Sequence, residues 1–155
     1  MIQKKDLKYF MRSREAEIVS VPGPKSFVDD DGKVVQLEIK KLTQEEISRI
    51  NKAYQERLVA TDKKGNPLVY NGEVIWKTER DNGKASRHVL VEALQYPDLK
   101  DPKLMEFYGV VDVTDMPFKV FATPEEYNYV TRIVMQVLGL AGTPDDEEDL
   151  AAAKN

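Results

Sequence analysis

Three consecutive aspartates, Asp29 to Asp31, followed by Glu38-Ile39-Lys40, form the one arrangement in this chain with the outline of a reaction centre. An aspartate near one strand and a Glu-x-Lys on the next can hold Mg²⁺ between two carboxylates while the lysine polarises a water. Asp31, Glu38 and Lys40 would carry that nuclease chemistry. The pattern is short, however, and Glu-x-Lys arises readily where 32% of residues are charged. Residues 38 and 40 also share one face of a strand, which solvent can claim. The same acidic run is not a calcium loop: counted from Asp29, the sixth position is Val34 rather than Gly and the twelfth is Lys40 rather than Glu. His88 is the sole histidine and there is no cysteine, so neither a His pair nor a thiolate can complete a metal site or arm a nucleophile. Glycine-rich phosphate loops and the G-x-S-x-G elbow are absent from the sequence. No catalytic, metal or cofactor-binding residue is assigned, no cofactor is expected, and the nuclease is kept as an alternative only.

The elements that would position these residues can be read from their punctuation. Residues 26–42 look like a hairpin turning at Asp31-Gly32, with Val35, Leu37 and Ile39 alternating as on a half-buried strand. Before it, residues 17–24 read as an extended segment stopped by Pro22 and Pro24. Thr43-Gln44-Glu45-Glu46 has the form of a capping box, and Ile47, Ile50, Tyr54 and Leu58 recur at helical spacing, which predicts a helix running to about Leu58. Asn71-Gly72 between two β-rich runs predicts a second hairpin within residues 60–78. A helix follows from Asp81 or Asn82 to before Pro97, with Ala85, Val89, Ala93 and Leu94 inward and His88 beside them as a structural residue. Asp101-Pro102 and Thr123-Pro124-Glu125-Glu126 start two more helices, ending near Gly109 and Gly139. The acidic side chains Asp98, Asp101, Glu106, Asp112 and Asp115 read as caps and turn formers. The sum is an α+β fold: a single small domain with two β-hairpins, three to four helices and flexible charged termini.

At 155 residues one domain is expected, with a basic N-terminal arm or short helix over 1–16, a folded domain over 17–140 and an acidic flexible tail over 141–155. Lys4, Lys5, Lys8, Arg12 and Arg14 outnumber Asp6 at one end, and five acids in a row, Asp145 to Asp149, face only Lys154 at the other. The arm is short and the net charge is −4, so nucleic acid is not the leading partner. No stretch reaches the roughly 20 apolar residues that span a bilayer, nor does the N-terminus carry a signal-type apolar run. No membrane role is expected, and the cytoplasm is the expected compartment.

One stretch is conspicuously rich in large apolar side chains. VEALQYPDLKDPKLMEFYGVVDVTDMPFKVF, residues 91–121, gathers Tyr96, Leu99, Leu104, Met105, Phe107, Tyr108, Met116, Phe118 and Phe121. The ordered series LVEAL, YPDLKD, MEFYG and DVTDMP, together with REAEIVSVPGP (14–24) and KKLTQEEI (40–47), resembles the XkdN-like tail assembly chaperones of contractile-tailed phages and PBSX-like prophages of Gram-positive bacteria. The resemblance spans about residues 8–140. It implies a non-enzymatic protein that binds the tape measure protein, a long, helical and partly apolar chain, keeps it soluble and helps recruit tail tube subunits. It also implies action in the bacterial host cytoplasm and absence from the mature particle. Met and aromatic side chains suit such a partner, so Met105, Tyr108, Met116 and Phe118 are the candidate partner-binding residues, against a core role for the same cluster. Self-association is left open, and a structural tail or baseplate component retained in the particle is the alternative function. Many such genes also make a longer product by frameshifting. Ala153-Lys154-Asn155 admits a slippery A-rich heptamer, through which the tail tube protein would be reached.

Overall fold

The computed structural model describes residues 5–140. Over these the chain runs through a 3-10 turn (Leu7–Phe10), strands β1 (Ile18–Pro22) and β2 (Gln36–Lys40) and helix α1 (Gln44–Ala53). Strands β3 (Gln55–Val59), β4 (Val69–Tyr70), β5 (Glu73–Val74) and β6 (Trp76–Arg80) follow, then helix α2 (Asn82–Ala93) and strand β7 (Leu94–Tyr96). Helices α3 (Pro102–Tyr108), α4 (Met116–Val120) and α5 (Pro124–Leu138) complete it. The architecture is α+β, as expected, with five α-helices where three to four were predicted; the added short one, α4, has Pro117 in its first turn. The acidic segment 141–155, with its Ala153-Lys154-Asn155 end, lies outside the described residues, as do residues 1–4.

The core is organised on β2. Leu37 and Ile39 point inward and are buried, while Gln36 and Glu38 stay exposed, the period-two alternation of a strand with one wet face. The strand is central: β1 pairs antiparallel on one side, Val19 opposite Ile39 and Val21 opposite Leu37, and β7 pairs antiparallel on the other. Leu90, Val91, Met116, Phe121, Val130 and Val134 close over this sheet and are themselves buried. Each such side chain contributes about 1.5–3 kcal/mol through burial.

The hairpin predicted over 26–42 is corrected. Its turn exists, with Gly32 at φ 77°, but it closes only the single bridge Val28–Val34. The Asp29 carboxylate folds the loop on itself by accepting from the backbone N–H of Asp31 and Lys33. Phe27 tucks its ring edge-on against Phe121 at 5.8 Å. The loop is therefore a local knot, which frees β2 to take β1 and β7 as partners.

Helix starts follow the predicted chemistry. Thr43 and Thr123 each accept from the N–H three residues on, at Glu46 and Glu126, and Asp81 and Asp101 do the same work for α2 and α3. Gly109 and Gly139 end α3 and α5 in the left-handed conformation. The end of α1 is corrected from Leu58 to Ala53. Tyr54 leaves the helix and its carbonyl accepts from Asp81 N, and Gln55–Val59 then runs as a strand against Trp76–Arg80 for five rungs. Leu58 fits the helical period only by coincidence. Further out, Asn71 at φ 51° and Gly72 at φ 80° make the predicted two-residue turn between β4 and β5.

Gly23 marks the tightest backbone approach. Its N–H donates to Val35 O at 2.9 Å, and a Cβ added there would lie 2.7 Å from that same carbonyl. Gly23→Ala is expected to destabilise the protein by about 1–3 kcal/mol, read as a lower midpoint in urea unfolding. An unchanged midpoint would show that the 22–24 and 35 backbones can part freely.

Candidate functional site

The segment from β7 to α4 holds its apolar side chains on a backbone whose polar groups are locally satisfied. After the cis Tyr96–Pro97 bond, Asp98 accepts from Lys100 N and Asp101 from Lys103 N and Leu104 N. The end of α3 closes with Val110 N donating to Met105 O. Asp112 then accepts from both the N–H and the hydroxyl of Thr114, at 3.0 and 2.7 Å. Two contacts fasten this turn to α2: Lys84 pairs with Asp112 at 3.1 Å, and Arg87 Nε donates to Thr114 O at 2.9 Å. The Arg87 guanidinium also lies over the Phe118 ring, 4.6 Å from its centroid, with Tyr127 5.1 Å away on the neighbouring helix. The Thr114 hydroxyl and N–H, with Lys84 behind them, hold the Asp112 carboxyl down at about 2.

Against this frame the four candidate residues separate. Met116 is fully buried, at 0% exposure; it is a core side chain, and its place as a contact residue is corrected. It sits at the first turn of α4, whose inward positions Met116, Pro117 and Val120 are all buried. Met105 and Tyr108 are half-buried and pack against the core. Phe118 alone of the four is exposed, at 49%. Within residues 91–121 the more exposed apolar side chains are Phe107 at 79% and Val111 at 97%, with Tyr96 exposed as well. Tyr96, Pro97, Leu104 and Phe107 line a cleft of about 410 Å³ between β7 and α3. Phe107 belongs to the apolar stretch noted in the sequence but not to the four candidates, since the sequence there carries no signal of which of these side chains is exposed. On a helix of seven residues, Leu104 turns partly inward while Phe107 stays out.

The other groups with chemical promise do not converge. Glu38 lines a surface cavity with Asp29 and Tyr96, whereas Lys40 lines a different one beside Arg12 and Arg14. Asp31 is exposed at the tip of its loop and lines neither. His88 takes a structural position, accepting from or donating to the Tyr54 hydroxyl at Nδ1, 2.6 Å away, with Glu92 3.4 Å from Nε2. Burial pushes the Tyr54 phenol upward, with the charge of Asp112 adding to it. Among the described residues no helix is long and apolar enough to cross a membrane.

Comparison with known proteins places this arrangement among relatives. The profile of a family described as phage XkdN-like tail assembly chaperone proteins matches residues 7–152. The uncharacterized protein YqbN of Bacillus subtilis (strain 168) is 33% identical over 154 residues, covering 97% of this chain and 93% of the relative. The phage-like element PBSX protein XkdN of the same organism is 30% identical over 154 residues, covering 97% and 94%. A crystal structure of YqbN superposes with a TM-score of 0.67 at 25% identity, covering 90% of this chain and 100% of that one.

Two outcomes test the division between core and surface. Met116→Ala is expected to cost about 2–5 kcal/mol through lost burial and the cavity left behind, while Phe107→Ser changes stability by less than about 0.5 kcal/mol; urea unfolding reads both. Asp112 supplies a pH signature. Its folded-state value lies below that of an unfolded aspartate, about 4, so the folded state binds this proton less readily than the unfolded state. Its stabilisation is complete above about pH 4 and is lost as pH falls towards about 2. Asp112→Ala is expected to cost about 1 kcal/mol at neutral pH, the usual cost of a lost cap, and the gap from wild type in thermal unfolding should close as pH is lowered to about 2. A gap that persists there would remove the carboxylate as its source.

Proposed function

This chain belongs to the phage XkdN-like tail assembly chaperone family, and we propose that it acts by holding the tape measure protein in soluble form before the tail tube is built around it. The observation that carries this reading is the set of exposed apolar side chains on an otherwise braced segment: Phe107 beside the Tyr96–Leu104 cleft, Val111, and Phe118 on α4. An amphipathic helix docks by inserting apolar anchors into such a surface, and the tape measure protein offers a long series of them. Met105 and Tyr108, half-buried against the core, contribute less to the contact, and Phe118 is retained as a contact residue. The proposed role is non-catalytic, in keeping with the family. The chaperone works in the host cytoplasm and leaves before the particle is complete. Tube subunits are brought in through a longer product frameshifted near the codons of Ala153-Lys154-Asn155.

Co-expression with the tape measure protein of the same gene cluster tests the reading. Affinity capture and light scattering should find a soluble complex with several copies of this chain per tape measure chain. Phe107→Glu combined with Phe118→Glu, in a protein that keeps its circular dichroism spectrum, should weaken capture by about tenfold or more, as loss of central aromatic anchors does. A tape measure protein that aggregates regardless, with no complex, overturns the chaperone reading. A complex indifferent to both substitutions overturns the surface. Mass spectrometry of purified particles should find the chain missing; its retention would make it a structural tail component instead. A gene without an A-rich heptamer and an overlapping frame would end the frameshift reading.

A further inference from the structure

The ribbon of β3 and β6 with its β4–β5 tip is sparsely covered by the rest of the described molecule. From Gln55 to Arg80 every residue is exposed except Val59 and Ala60, and Trp76 is 50% exposed. A two-stranded ribbon by itself is marginal in water; a third strand or a covering surface is normally needed. The outer edge of β6 pairs with no other strand among the described residues. Its outward groups can be identified from the ladder. Asp81 N donates to Tyr54 O and Ala60 N to Ile75 O, so the hydrogen-bonded rungs between them fall at Glu56–Glu79 and Leu58–Lys77. Trp76, Thr78 and Arg80 therefore turn their backbone N–H and C=O outward.

We propose that this edge pairs two copies of the chain, β6 against β6, antiparallel about Thr78. The sequence Trp76-Lys77-Thr78-Glu79-Arg80 is complementary to its own reverse. With the two-fold axis at Thr78, Trp76 opposes Arg80 of the second copy, Lys77 opposes its Glu79, and Thr78 opposes its Thr78; symmetry repeats each unlike pair. All three are favourable types of cross-strand pair, a cation with an aromatic ring, an ion pair and a Thr–Thr pair. Arg80 of the second copy would join Arg57, whose guanidinium already lies 4.6 Å from the Trp76 ring centroid, in exchange for its own hydrogen bond to Asn82. Thr78 lies on a hydrogen-bonded rung of the new ladder because its backbone groups face outward. Charged residues on an exposed edge ordinarily discourage pairing, and these charges repel most partners while matching their own antiparallel image. The pairing also answers a local imbalance. Within one copy Glu56 faces Glu79 across the ladder, a like-charge pair countered by Lys77, 2.7 Å from Glu79; Lys77 of the second copy adds a cation on the open side. The product is a four-stranded sheet in the order β3, β6, β6, β3. It uses none of the side chains assigned above to the tape measure contact.

Sedimentation of the full chain across a concentration series tests this. The wild type should pass from the mass of one chain to that of two. Lys77→Glu and Glu79→Lys should each weaken association by about tenfold or more, because each sets two like-charged pairs across the axis. Mixing those two variants should restore a dimer, as should the double variant that exchanges the charges. All four proteins should unfold with similar midpoints, which separates loss of pairing from loss of fold. A wild type that remains one chain throughout overturns the proposal. A dimer untouched by either substitution, or two weakened variants that fail to recover on mixing, would also overturn it.

Discussion

Ile39 is sealed from water only because segments far apart in the sequence meet over it. A three-stranded sheet with one wet face cannot stand alone; its apolar face must find helices. Here β2 carries that face, and its third strand and its cover both come from beyond residue 82. The two halves of the chain thus depend on each other through Leu37 and Ile39. The rest of the architecture follows from this requirement. The α2 helix must run directly into β7, with Leu94 serving both as the C-cap of the helix and as the first residue of the strand. The chain must then return through α3 and α4 so that Met116 and Phe121 can complete the lid.

That return path explains how a surface can carry large apolar side chains without collapsing. The turns between β7 and α4 satisfy their backbone donors with the carboxylates of Asp98, Asp101 and Asp112. The polar fastening to α2, through Lys84 and Arg87, supplies orientation while Met116 and Leu99 supply burial. Phe118 is held against a guanidinium and a neighbouring tyrosine ring, and so remains outward in a fixed attitude. Exposed aromatic surface on a rigid frame loses little side-chain freedom on binding.

Much of this was legible in the sequence wherever the information is local. Thr43, Asp101 and Thr123 announce helix starts because a short polar side chain can reach an orphan N–H within the same turn. Gly109, Gly139 and Asn71-Gly72 announce ends and turns because few residues accept positive φ. What could not be read is pairing and depth. The 55–59 segment satisfies the helical period through Leu58, yet five rungs with 76–80 compete for its backbone, and only the tertiary partner decides. Asp31-Gly32 signals a turn correctly, but the Asp29 carboxylate and Phe27 consume that turn locally, so β2 looks further for its neighbours. Met116 and Phe118 are two residues apart and alike in hydropathy; the orientation of a five-residue helix sends one to the centre and leaves the other outside.

The ribbon leaves the body at Tyr54 and returns at Asp81, two residues joined by a single backbone hydrogen bond. Its root is therefore a place where sequence can be gained or lost without disturbing the sheet beneath. Such changes obey parity: lengthening both strands by two residues keeps every side chain on its side, whereas a change of one inverts the faces.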